Sequence, residues 1–298
     1  MTFGTRIQYG LLVGLCKFAG WLPNRFLYGP LKQLIYFILC KVAKYRVDVV
    51  RENLRNSFPM KSGEELALIE HDFYMHLAEV MVDTIKLATI SRREIMERMT
   101  YLGIEAMDKT ELAGRSWIAA MSHFGSWELT VNFALYTDHG VLAVYRPLKN
   151  EVMDRFYRHV RSRFGTKPTA MNDVLKETIK AHRPGAKPVA VALIADQTPP
   201  IHELKTWYPF LRQYTSFFSG TEKMALKFGM PVYFAYIRKT SPQHYQMEFI
   251  PIYDGKEQIA EHEITRRYIA NLEAMIEETP CLWMWSHRRW KYKKPADA

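Results

Sequence analysis

Cysteine is scarce. The 298-residue chain has three, Cys16, Cys40 and Cys281. They are far apart and odd in number, which excludes a disulfide framework and a zinc-ligand pattern. The chemistry is therefore expected on the reducing, cytoplasmic side. Gly-x-Ser-x-Gly, His-Glu-x-x-His, a P-loop and the Rossmann glycine set are all absent, which removes the commonest hydrolase, metallopeptidase and nucleotide-binding readings. Helix-turn-helix and zinc-finger patterns are missing, and so are internal repeats and low-complexity tracts. A clean run of about 20 apolar residues, as a spanning helix needs, is also lacking. Lys17 interrupts the stretch 7–22, and Pro30 and Lys32 interrupt 26–43. No small-residue cleavage site follows, which disfavours a cleaved signal peptide.

Hydrophobic residues, in contrast, make up 48% and aromatics 13%. That supports a substantial core and leaves aromatics over for an apolar binding surface or a membrane interface. The formal net charge of +10 favours anionic partners: phospholipid headgroups, nucleic acid, phosphorylated substrates or acidic carrier proteins. Trp21 and Tyr28, with Arg25, Lys41, Lys44 and Arg46 beside them, suit a headgroup region. Residues 1–45 are therefore expected to form a membrane-inserted or interface-lying anchor. A hydrophobic hairpin packed on the main domain is the other reading. Residues 46–298 form the second unit.

Residues 46–58 read as an amphipathic helix stopped by Pro59. Ser62 and Glu65 make a capping-box signal. Ile69, Phe73, Leu77, Val80, Met81 and Ile85 follow at helical spacing, so the pattern predicts a long core helix over about 63–88; His71 and His76 on it read as surface or packing residues. Short apolar runs at 117–121, 141–145, 188–194, 232–237 and 245–252 read as buried strands. Helical segments at 126–136, 151–164 (capped by Asn150), 172–181, 221–228 and 258–278 alternate with them. The fold class is α/β: a mixed, largely parallel central sheet flanked by helices, with an N-terminal helical extension.

The sharpest local signal is Ser122-His123-Phe124-Gly125-Ser126-Trp127-Glu128, where a buried strand gives way to a helix. In open α/β sheets ligands bind at that edge. Imidazole is suited to take a proton from a hydroxyl near neutral pH, and a carboxylate can orient it and stabilise its protonated form. Across the turn, with Gly125 supplying backbone freedom, His123 and Glu128 can converge. Spacing alone leaves a second reading, a capping carboxylate beside a structural histidine.

Five segments occur in order: Asn-Leu-Arg-Asn-Ser-Phe-Pro at 53–59, His-Phe-Gly-Ser-Trp-Glu at 123–128, Tyr-Arg-Pro-Leu-Lys-Asn at 145–150, Ala-Asp-Gln at 195–197, and Trp-Met-Trp-Ser-His-Arg-Arg-Trp-Lys at 283–291. Together they resemble the late acyltransferases of lipid A biosynthesis, the lauroyl/myristoyl transferase family within the glycerolipid-type acyltransferases. The resemblance covers nearly the whole chain. It implies a bacterial inner-membrane enzyme with its catalytic domain on the cytoplasmic side. A thioester donor, acyl carrier protein or coenzyme A, would present its carbonyl near His123. His123 would deprotonate an acceptor hydroxyl, and Glu128 would hold the tautomer. Direct attack follows, with no acyl-enzyme and no metal or bound cofactor. Arg146 is the candidate for the oxyanion or an acceptor phosphate, and Asp196 for orienting Arg146 or the acceptor. Ser122, Gly125, Trp127, Asn150 and Gln197 are expected to line the substrate site. Gly220 and Thr221 would do so at a helix N-terminus, although ordinary capping also explains them. Arg288 and Arg289, in a tail rich in cations and aromatics, are expected to meet an anionic lipid surface or an acidic carrier protein. The family often has Asn where this chain has Ser122.

Membrane lipids and an acyl carrier protein are thus the expected partners, the protein is expected to be a monomer, and no nucleic acid is expected. Three alternatives stay open: an acceptor that is another lysolipid, a basic nucleic-acid-binding protein, and a non-catalytic membrane scaffold.

Overall fold

The computed structural model describes residues 2–295; Met1 and the last three residues of the 46–298 unit lie outside it. Nine strands are present among these residues: β1 (Met99–Leu102), β2 (Trp117–Met121), β3 (Gly140–Tyr145), β4 (Lys167–Ala170), β5 (Val189–Ile194), β6 (Trp207–Phe210), β7 (Gln213–Ser216), β8 (Val232–Ser241) and β9 (His244–Tyr253). Seven form one sheet in the order β1-β9-β8-β2-β5-β3-β4, and β6 and β7 form a separate antiparallel hairpin. From β8 to β4 the sheet is parallel; β9 reverses against β8 and carries β1 with it. The α/β class and the largely parallel, helix-flanked sheet are as the apolar runs predict.

The reason is burial on both faces. Every residue of β2 is buried, so its sequence Trp-Ile-Ala-Ala-Met is continuously apolar rather than alternating. Trp117, fully buried, meets Phe133, Tyr233 and Phe249 edge to face, the geometry that the ring quadrupoles favour. The helix Gly63–Lys86 begins at the expected capping box, with Ser62 and Glu65 exchanging both bonds. Asn150 caps Glu151–Ser162 through Val152 and Met153. The segment 127–135, read as a helix, is a 3-10 helix. Asn132, buried within it, donates to the carbonyls of Ile95 and Met99, and such side-chain bonds compete with regular helix.

At the N-terminus a helix runs from Phe3 to Gly20, and a broken one from Asn24 to Val42. The second is interrupted by π-turns at Leu27–Leu31, around Pro30, and at Ile38–Val42. Proline removes a donor and clashes with the preceding turn, which widens it. Among the described residues no single helix is long and apolar enough to cross a membrane; one bent pair, Asn24–Val42 with Val47–Ser57 at 88°, passes by length and composition together. Phe3, Ile7, Leu11, Leu15, Phe18 and Trp21 stay exposed along one helical stripe. The other side of this hairpin packs on Gly63–Lys86 and on Glu151–Ser162.

Candidate active site

β2 and β5 are neighbours, with Met121 in register with Ile194. Two residues beyond each stand His123 and Asp196, so continuing the ladder brings their side chains side by side at the carboxyl edge. His123 Nδ1 lies 2.8 Å from Asp196 Oδ1, and the backbone N–H of His123 donates to Oδ2 at 3.0 Å. Trp283 Nε1–H donates to the same Oδ2 at 2.9 Å. Asp196 is 2% exposed. Burial pushes its carboxyl up, but the neighbouring imidazole and these three bonds outweigh that, and its pKa lies below the usual value. An ionised carboxylate only accepts, so His123 Nδ1 must donate. In the neutral ring the remaining lone pair is on Nε2, where Gln197 Nε2 stands at 3.4 Å. The ring of Trp127 stands edge-on to the imidazole at 5.2 Å. The side chain of His123 keeps 19% exposure, so the imidazole sits at a rim.

Glu128 is not the partner of this imidazole. Its Oε1 and Oε2 accept from Arg161 at 2.5 and 2.9 Å, and the pair is mostly buried. Two charge-assisted bonds from a guanidinium hold a carboxylate better than one from an imidazole. The contact with His123 that was expected of Glu128 is made instead by Asp196.

A family model described as bacterial lipid A biosynthesis acyltransferase matches residues 5–292. The chain belongs to this family. The lipid A biosynthesis myristoyltransferase of Escherichia coli is 23% identical over 247 residues, which are 82% of this chain and 75% of that protein. Lipid A biosynthesis acyltransferase 1 of Shigella flexneri matches to the same extent. The lipid A biosynthesis acyltransferase of Haemophilus influenzae is 22% identical over 145 residues, 48% of this chain and 45% of that protein. The protein is therefore an acyltransferase.

The remaining expected site residues of the acyltransferase are scattered. Arg146 is exposed just past β3, two strands from His123. That is a lateral distance on the order of 10 Å. Asn150 is occupied as a helix cap. Ser122, where the family often has Asn, is 1% exposed and its hydroxyl has no partner among the described residues. Gly125 has φ +57°, and an added Cβ would meet Ile237 at 3.1 Å and Tyr245 at 3.3 Å. Glycine is required there by both conformation and space. Gly220 and Thr221 open the helix Gly220–Phe228, and the next residue, Glu222, ties it to Thr265 of the last long helix. Arg288 is exposed. Arg289 is fully buried, stacked on Phe217 and bonded to Thr215 and the carbonyl of Ser216. It cannot meet a membrane or a carrier protein from there.

Three participants escaped sequence reading. Trp283 acts on Asp196 directly. His287 Nε2 accepts the backbone N–H of Thr198, directly after Gln197. Asn53 donates to the carbonyls of Trp285 and His287. The first and last of the five segments therefore clamp one another beside the site. Their composition was visible; their pairing, across 232 residues for Asn53 and Trp285, was not. Arg161 gave no signal at all, because one arginine on an amphipathic helix looks like any other.

Proposed function

We propose that the protein transfers a fatty acyl chain from a thioester to a hydroxyl of a lipid A precursor, with His123 as general base. The observation that carries this reading is the 2.8 Å contact between His123 Nδ1 and Asp196 Oδ1 at the ends of adjacent parallel strands. His123 Nε2 removes the hydroxyl proton as the oxygen attacks the thioester carbonyl. Asp196 stabilises the imidazolium that forms. Collapse of the tetrahedral intermediate expels the thiolate, which takes the proton back from Nε2. The oxyanion needs positive charge while it exists; Arg146, exposed at the same sheet edge two strands away, is the candidate to reach in and supply it or to hold an acceptor phosphate.

The donor in this reading is an acyl carrier protein or coenzyme A, both anionic. The exposed Arg288, Lys291, Lys293 and Lys294 support it. The exposed apolar stripe from Phe3 to Trp21 supports docking of the N-terminal hairpin to the inner membrane, where the acceptor resides. The chain acts as a monomer, and the site faces the cytoplasm.

The test is acyl transfer by the purified protein from an acyl thioester to a lipid A precursor, read by the mass of the product. His123→Ala is expected to abolish the mass increase. Asp196→Asn, which no longer imposes one tautomer, is expected to lower kcat by about 10³-fold or more. Full activity in His123→Ala would overturn the reading. A mass increase on a lysolipid but not on the lipid A precursor would move the acceptor.

A further inference from the structure

Helix Gly63–Lys86 buries a strip of polar residues, His76, Glu79 and Asp83, that are 6%, 3% and 0% exposed. Their spacing puts them on one face. An apolar strip would pack there without desolvation cost, whereas each of these groups must find partners. Glu79 is held chiefly from the sheet, by Lys239 Nζ at 2.7 Å and the Tyr245 hydroxyl at 3.0 Å; the other partners of the strip lie in two directions. Toward the catalytic turn, His76 Nε2 bonds the carbonyl of Gly125 at 3.2 Å and Ser126 Oγ donates to Asp83 Oδ2 at 2.5 Å. Toward the N-terminal hairpin, the Tyr28 hydroxyl donates to Asp83 Oδ1 at 2.6 Å, and Lys32 Nζ reaches Glu79 at 3.5 Å. The Arg98 guanidinium closes the network on the Tyr28 oxygen.

Asp83 is the meeting point, one oxygen for each direction. Tyr28 lies in the π-turn around Pro30, on a hairpin whose outer residues Phe26, Leu34 and Phe37 are about half exposed. Ser126 stands three residues after His123, in the same turn. A shift of Tyr28 removes the closer of the two donors on Asp83 Oδ1, leaving Arg98 at 3.4 Å, and so loosens the carboxylate to which Ser126, in the turn of His123, donates.

We infer that Asp83 is a positioning residue that couples the N-terminal apolar hairpin, through Tyr28, to Ser126 and the turn carrying His123. This rests on the reading of His123 as general base. Rates fall steeply when a catalytic group is misplaced by about 1 Å, so the hairpin, though remote from the chemistry, sets the rate.

Tyr28→Phe removes only the hydroxyl. With acyl thioester and lipid A precursor in mixed micelles, kcat is expected to fall on the order of tenfold while KM for both substrates stays within about twofold. Amide exchange at 123–126 is expected to quicken by a similar factor while β2 and β5 keep their protection. Ser126→Ala should do the same, and the double variant should be no slower than the worse single one, because both cut one path. Unchanged kcat and exchange in Tyr28→Phe, or a double variant whose losses multiply, would overturn the coupling. If Tyr28→Phe is too unstable to assay, Ser126→Ala carries the test: unchanged exchange at 123–126 then overturns it. The exchange readout needs no turnover. Failure of the His123 reading, seen as activity in His123→Ala, is thereby separable from failure of the coupling.

Discussion

The indole N–H of Trp283 donates to Asp196 Oδ2 at 2.9 Å, while Oδ1 of the same carboxylate faces the ring of His123. A buried carboxylate loses its hydration and stays ionised only if donors replace it. Trp283 is one of three such bonds, and it comes from a part of the chain 87 residues away. The C-terminal segment therefore helps to keep this carboxyl below its usual value, beside the larger contribution of His123.

Trp283→Phe keeps most of the packing and removes that donor. The Asp196 carboxyl is then expected to rise, because burial acts with less opposition. The acid limb of the kcat/KM profile should move to higher pH, and kcat at neutral pH should fall about tenfold, the lower end of what loss of an orienting partner costs. The fold should lose about 1 kcal/mol, the usual net worth of one hydrogen bond. Steady-state kinetics across pH and urea denaturation check both parts.

Arg161→Ala strands Glu128, whose side chain is 6% exposed. Breaking one side of a mostly buried ion pair costs about 3 kcal/mol. Removing the charge from the second partner as well, in Arg161→Ala with Glu128→Gln, should recover part of the loss. A double-mutant cycle by denaturant melting checks this: an interaction energy near zero would mean that the pair is not coupled.

Much of this was legible in the sequence. Where both faces of a strand are buried, as in β2 and β5, the apolar run is unmistakable, and so is its carboxyl edge. That edge puts His123 and Asp196 at one rim on sequence grounds alone. The strands β1, β4, β6 and β7 were not legible. Each is four residues long, and Pro168 and Pro209 sit within two of them, so periodicity has nothing to count. Glu128 shows the other limit. Five residues from His123 it was the obvious carboxylate, but sequence distance carries no information about Arg161, 33 residues on. Asp196 won because strand register, not proximity in the chain, decides which side chains meet.

Two histidines make the stability of the fold depend on pH. Burial pushes His287 down to about 4 against the pull of Asp196, with Arg289 and Arg46 assisting, and burial with Lys239 takes His76 likewise to about 4. The folded state resists a proton that the unfolded chain takes up near 6.5. Stability is therefore intact above pH 6.5 and is lost as pH falls from 6.5 toward 4. Asp83 works in the opposite sense, because burial pushes it up to about 6 and the folded state then binds a proton first. Two histidines outweigh one carboxyl, so acid destabilises. In His287→Gln the slope of unfolding free energy between pH 6.5 and 4 should be shallower by up to about one proton, at most about 1.4 kcal/mol per pH unit. Urea melts at several pH values measure that slope, and an unchanged slope would show that His287 titrates normally.

Leu15 and Phe18 are each 66% exposed on the stripe that begins at Phe3. A soluble surface rarely carries so many large apolar side chains in one line. If this stripe docks in the headgroup and acyl boundary, each buried side chain contributes about 1.5–3 kcal/mol to partitioning. Leu15→Glu with Phe18→Glu removes two such contributions and adds two anions facing an anionic leaflet. Partitioning onto vesicles of anionic and zwitterionic phospholipid is expected to fall by on the order of a hundredfold or more. The melting temperature should stay nearly unchanged, since neither side chain packs in the core. Transfer to a soluble short-chain acceptor should survive better than transfer to a lipid embedded in the vesicle, because only the second needs the enzyme on the surface. Vesicle co-sedimentation, run beside the two activity assays, decides it: undiminished binding in the double variant would mean that the stripe faces something other than lipid.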